Sequence, residues 1–280
     1  MTASMRDFSL SLLFVSALVF LLPEKYLTPL FIVFGQGHFI LMYLYQFRAK
    51  KIGIRYIRYY ILISTVLLTF LLVYPTTHMR DIFLLMSAVV FGLHFFFDEL
   101  FVHNLLVTKE HILIGIGFGI QYVLVSYALI FGQDAISLSV SLPLIVLSWT
   151  LAAPLLATSF TAKKLSISEL FLLVIVAIFT SVIFIPVPIS AVQVLAFTVL
   201  FHYARWYLFY ATRLRVHATS QRMRQYFKDT LIVNACVVAA YALFVLIPIK
   251  ELGIFFSDTF FYFWTILHVI FSLSYFSNKK

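Results

Sequence analysis

The feature that most constrains this chain is a succession of apolar runs, each near 20 residues, parted by short polar or Pro-containing segments. A helix rises about 1.5 Å per residue, so roughly 20 residues cross the ~30 Å hydrocarbon core of a bilayer. Ten runs are legible, at roughly 8–23, 28–47, 56–75, 81–106, 111–132, 136–159, 166–186, 189–212, 229–248 and 256–276. Hydrophobic residues make up 63% of the chain and charged residues 11%, too little polar surface to coat a water-soluble particle. In hydrocarbon the backbone must satisfy its own hydrogen bonds. The expected fold is therefore all-α: a polytopic membrane helix bundle of about ten transmembrane helices, forming a single integral membrane domain over residues 1–280. The first run follows Arg6 and resembles a signal peptide, but it lacks a small-x-small cleavage site and leads into LLPEKY, so it reads as a retained first helix. Pro143 and Pro154 fall in the sixth run, where they either kink the helix or leave it unaffected.

Charge sets the orientation. With the N-terminus in the cytoplasm, 16 of the 20 Lys and Arg residues fall in cytoplasmic segments, and Lys25, Arg80 and Lys250 fall outside. Arg205 lies deep within a run and completes the twenty. That asymmetry follows the positive-inside rule and predicts that both termini are cytoplasmic, with the cell inner (plasma) membrane as the location. The formal charge of +9 then reflects topology, with contact to anionic lipid as the alternative, and not a nucleic-acid interface. The single Cys236 excludes an intramolecular disulfide and any Cys-rich metal motif. Nothing in the sequence fixes an oligomeric state.

Four histidines recur at one depth. His38, His94, His202 and His268 lie in the second, fourth, eighth and tenth runs, all of which cross from outside to inside. They stand 10, 15, 11 and 11 residues before Arg48, Lys109, Arg213 and Lys279. At the rise of a helix this places all four near the bilayer centre. One such histidine is explained by a hydrogen bond to a neighbouring helix. Four on parallel helices point to ligation of a metal or cofactor, because neutral imidazole is the commonest metal ligand and brings no charge into hydrocarbon. His78, His103, His111 and His217 lie near run ends or in loops.

Carboxylates accompany the histidines in FGLHFFFDEL. Asp98 follows His94 by four residues and shares its helix face, the position of a carboxylate that holds a ligating imidazole in one tautomer. Glu99 points well round the helix; it serves the same centre or forms a structural ion pair with Arg205. Aromatic residues surround the same positions: Phe95 after His94, Trp206 four after His202, and Trp264 four before His268. Such walls around a polar centre suit a long unsaturated apolar substrate, although most individual aromatics in a membrane bundle serve packing.

The pattern resembles the Brp/Blh family of integral membrane β-carotene 15,15′-dioxygenases. Its motifs are approximately Pro-His-Gly, His-Phe-Gly-x-x-Asp, His-x-x-Arg-His and a final histidine. The corresponding stretches here are GQGHF with His38, HFFFDE with His94, HYARW with His202 and Arg205, and LHVIF with His268. Two departures stand out: no proline precedes His38, and Trp206 occupies the place of the third motif's second histidine. The resemblance implies Fe(II) held by the four imidazoles, O2 as co-substrate, and cleavage of a carotenoid-like polyene such as β-carotene to retinal. Composition and spacing by themselves reach only a polyhistidine site in mid-membrane. A haem b protein or a non-enzymatic transporter using the same histidines stays open. A histidine-rich desaturase is disfavoured, because no HxxxH or HxxHH cluster is present.

Overall fold

Apolar side chains at nearly every position leave the backbone as the main source of polar groups, and in such segments it closes on itself as helix. The structure, a computed structural model, describes residues 3–48, 61–62, 64–65, 77–102, 108–131, 138–161, 170, 173–174, 176–177, 180, 190–217, 219–247 and 250–277. Among them there is helix and no strand. The elements are α1 (Ala3–Leu21), a 3-10 turn at Glu24–Tyr26, α2 (Leu27–Arg48), α3 (Thr77–Val102), α4 (Lys109–Phe131), α5 (Leu138–Thr161), α6 (Ala191–His217), α7 (Ser220–Leu246), α8 (Lys250–Phe255) and α9 (Asp258–Ser277). The expected runs at 56–75 and 166–186 lie largely outside the described residues.

Local chemistry fixes several ends. Pro23 presets an extended φ/ψ of −57° and 138° between α1 and the 3-10 turn. Thr219 caps α7, its hydroxyl accepting the Arg222 N–H at 3.4 Å. Thr108 does the same ahead of α4, accepting the His111 N–H at 3.4 Å. The two prolines of α5 do not end it: the helix runs unbroken through Pro143 and Pro154.

Among the described residues, four stretches are long and apolar enough to cross a membrane: Glu24–Arg48, Lys109–Ala128, Ser139–Ala157 and Ser220–Leu246. The distribution of polarity agrees with that setting. Gln36, His202, Arg205 and His268 are buried, whereas Leu231, Val245 and Leu246 on α7 are exposed. Only 11% of the apolar window of α7 is buried. Polar groups inside and apolar groups outside is the arrangement hydrocarbon selects.

Backbone contacts divide the chain into two compact units. The first, Met1–Pro75 with Val192–Phe271, holds α1, α2, α7, α8, nearly all of α6 and most of α9. Its core includes Phe31, Phe39, Tyr203, Phe261 and Leu267. Gly35 lets α2 approach its neighbours: a Cβ there would lie 2.6 Å from the Tyr203 hydroxyl and strike the Phe261 ring. The second unit, Thr76–Ala191 with Ser272–Lys280, holds α3, α4 and α5. There Phe96 and Phe118 stack at 5.6 Å, and Ser148 donates to the Gly117 carbonyl at 2.7 Å. A Cβ on Gly117 would lie 2.7 Å from the Ser148 carbonyl oxygen, so close backbone packing of α4 on α5 requires glycine.

Candidate metal centre

Within the first unit, three helices each bring one histidine to the same point. His38 comes from α2, His202 from α6 and His268 from α9, and one ring nitrogen of each lies within 4.8 Å of the others. The His38 ring centroid is 5.4 Å from that of His202 and 5.0 Å from that of His268. Exposure is 8%, 2% and 4% in turn, so all three are shielded from solvent. An ion with bonds of about 2.1 Å wants its nitrogen donors roughly 3.0–3.5 Å apart. Binding an ion would draw the three rings inward from that spread. His38 Nε2 is buried with no hydrogen-bond partner among the described residues, a position costing about 1–3 kcal/mol unless something else binds there. The residues present therefore fit a metal: three neutral nitrogen donors, convergent, and at least one of them without a hydrogen bond.

The walls are aromatic. Tyr203 stacks on His38 at 4.7 Å, and Phe39 lies 5.0 Å from His268. Trp206 meets His202 edge-on at 6.4 Å. The Tyr203 hydroxyl is buried without a hydrogen-bond partner among the described residues. Gln36, one helical step from Gly35 and Gly37, donates to the Phe255 carbonyl at 3.2 Å. It ties α2 to the end of α8.

His94 and Asp98 belong to the second unit, on α3. His94 Nε2 lies 3.1 Å from Asp98 Oδ2, with the residues 1% and 2% exposed. This is the i,i+4 carboxylate–imidazole pair that the sequence anticipates, and it orients the ring. The structure thus brings together His38, His202 and His268, and it pairs His94 with Asp98.

The remaining expected residues divide. Arg205 is 1% exposed, and its guanidinium lies 5.6 Å over the Phe8 ring of α1, a contact the sequence did not signal. Glu99 lies on α3, but its side chain falls outside the described residues, so its expected pairing with Arg205 does too. Phe95 stacks on Phe118 at 6.1 Å inside the second unit, and that is a packing contact. Trp264 packs against Tyr43 at 5.4 Å and Phe260 at 5.9 Å. Of the other histidines, His111 sits at the start of α4 beside Thr108. His103 and the side chains of His78 and His217 lie outside the described residues.

Sequence reasoning overlooked Tyr203, Phe39 and Tyr207, whose ring lies 6.2 Å from His38. A faint signal existed: Tyr203 is adjacent to His202 and Phe39 to His38. No family model, no curated protein and no solved structure matches the chain.

Proposed function

We propose that this chain is an integral membrane oxygenase that cleaves a carotenoid-like polyene, as the family resemblance implies, at a ferrous centre held by His38, His202 and His268. The observation that carries the reading is the convergence of those three buried imidazoles from three helices. The proposal includes ten spans, both termini in the cytoplasm and residence in the cell inner membrane, which rest on the run pattern and the Lys/Arg asymmetry. His94 is assigned the fourth ligand position from its depth in the sequence, with Asp98 fixing its tautomer.

When bound, ferrous iron with an open coordination position supplies activation of O2, whose two oxygen atoms end on the two aldehydes made from one carbon–carbon double bond. The chain's own residues do the rest. The histidines stay neutral donors because charging them in a dry interior is costly. Tyr203, Phe39 and Trp206 form flat apolar walls that hold a conjugated chain in register and keep water out. Arg205, the largest fully buried side chain among the described residues, anchors α6 against α1 and so positions His202.

The haem b alternative is disfavoured by the same geometry. Haem b would be held by two histidines, whereas three convergent imidazole donors suit a single ion. Metal analysis of purified protein, joined to expression in carotenoid-producing cells, tests the proposal. About one iron per chain, with loss of colour and appearance of retinal, is expected. Bleaching that persists in a His202→Ala variant, or a Soret band in the pure protein, overturns it.

A further inference from the structure

We infer that the first unit carries a route for oxidising equivalents, running from the histidine trio to the water-facing end of α2 through Trp206, Tyr210, Tyr226 and Tyr45. The role of this route rests on the oxygenase reading of the trio; its existence does not. Trp206 meets His202 at 6.4 Å and stacks on Tyr210 at 5.1 Å with 26° between the planes. Tyr210 lies 6.3 Å from Tyr226, and Tyr226 stacks on Tyr45 at 6.0 Å with 27° between planes. The Tyr45 hydroxyl donates to Asp229 Oδ2 at 3.2 Å. Asp229 also accepts from Arg48 and Gln225. The Arg48 side chain is 44% exposed, so this end of the path meets solvent.

Two physical points separate the series from ordinary aromatic packing. Indole and phenol rings lose one electron at potentials a centre that activates O2 can reach, and a phenyl ring does not. The chain holds 32 Phe against 16 Tyr, so composition alone favours interruption by phenylalanine. None interrupts this path; Phe209, 5.7 Å from Trp206, is a side branch. The second point is the proton. A phenol is oxidised easily only when its proton has an acceptor, and the outermost tyrosine has a carboxylate on its hydroxyl.

On the oxygenase reading, a metal held by the trio would supply activation of O2, and the residues beside it would need a source of electrons when no substrate is bound. Trp206 would give up one electron and be re-reduced by Tyr45, the Tyr210 and Tyr226 phenols keeping their protons and serving as the low-lying bridge between the two. Tyr45 passes its proton to Asp229 as it is oxidised and recovers it on reduction. The last electron comes from a water-soluble thiol. In sum, two thiols and one O2 become one disulfide and one hydrogen peroxide, two electrons passing inward and the two protons the thiols release to water balancing the two the peroxide takes up. The path spares the ligands and the polyene.

Flash photolysis of the purified full chain tests the route, with and without chelator. Pulsed excitation of tryptophan with a soluble electron scavenger makes tryptophanyl radical directly. In the wild type part of that signal decays into the tyrosyl band; Tyr210→Phe and Trp206→Phe each reduce the transferred share at least severalfold. Tyr210→Phe keeps the ring stack, and an unchanged melting temperature certifies its fold. An equal transferred share in wild type and both variants overturns the route, whether or not metal is present. The role is read in metal-loaded protein incubated with O2: peptide mapping finds oxidation at Tyr45 in the wild type, withdrawn to Trp206 and the histidines in Tyr210→Phe. Transfer by photolysis in a protein that holds no iron keeps the route and removes the oxygenase reading. Iron without transfer does the reverse.

Discussion

Replacing Gly35 by alanine tests whether close approach of α2 is what assembles the trio. The added methyl would lie 2.6 Å from the Tyr203 hydroxyl and collide with the Phe261 ring. Ordinary contacts lie near ~3.5 Å, so the neighbours must retreat by roughly 1 Å. Both clashing residues sit on the helices that supply the other ligands, Tyr203 beside His202 on α6 and Phe261 two turns before His268 on α9. Neither has room to yield, at 2% and 1% exposure. Overpacking of this kind costs about 1–3 kcal/mol, offset by up to ~1 kcal/mol of better helix propensity. The net loss of about 0–2 kcal/mol corresponds to a melting temperature lower by up to roughly 8 °C.

The larger effect falls on metal. Nitrogens spread over 4.8 Å already need to draw inward to bind. A further shift of ~1 Å in α2 takes His38 out of reach, and iron affinity falls about 10–100-fold or more. Thermal unfolding and iron stoichiometry are measured on the same preparation. The control is Gly119→Ala, whose methyl would meet only the flexible tip of Leu93 at 3.1 Å. It is expected to melt within about 0.5 kcal/mol of the wild type and bind iron normally. If Gly35→Ala matches that control in both readings, helix approach at Gly35 does not build the centre.

Other expected outcomes follow from single contacts. Asp98→Asn keeps the shape of the His94 partner but removes its charge, and iron affinity drops about 10–100-fold if His94 is a ligand; unchanged affinity with unchanged stability removes His94 from the centre. Thr180→Val takes away the hydroxyl that accepts from Trp149 Nε1 and donates to Gln121 Oε1, both at 3.0 Å. That leaves a buried amide and an indole N–H unpaired, so a loss of about 1–3 kcal/mol is expected in thermal unfolding. Asp229→Ala unties Tyr45, Arg48 and Gln225 together and lowers the melting temperature, by less in high salt because Arg48 reaches water. A loss that does not shrink with salt argues against the ion pair as its source.

How much of this was legible depends on what each signal measures. Hydropathy marks where a chain enters hydrocarbon, not where its helix begins. The ninth run was expected from residue 229, yet α7 starts at Ser220, because Thr219 caps it and the basic first turns are perfectly good helix. Asp7 shows the same limit. It lies before the expected first run, but it is 4% exposed and accepts the Thr212 hydroxyl at 2.8 Å, a partner 205 positions away that no local pattern can announce. Depth is the coordinate along which helical rise is fixed: counting back from the basic ends set His38, His94, His202 and His268 at one level, and His38, His202 and His268 do converge.

Rotation about each helix axis was the missing coordinate, and the site's character lies there. The i+4 rule singled out Trp206 as sharing the face of His202, and Trp206 is indeed beside that ring. The residue pressed on His38, however, is Tyr203, one position after His202. A ring at i+1 points about 100° round its own helix, which matters only because α2 lies on that side. Gly35 makes that approach possible. A glycine on one helix and a tyrosine on another thus decide together what faces His38, and neither is meaningful until the other is placed. The histidines announce a centre along the membrane normal, while the groups around it are chosen by packing in the membrane plane. Substitutions that leave every histidine in place but alter Gly35 or Tyr203 are therefore where the selectivity of the site is most open to change.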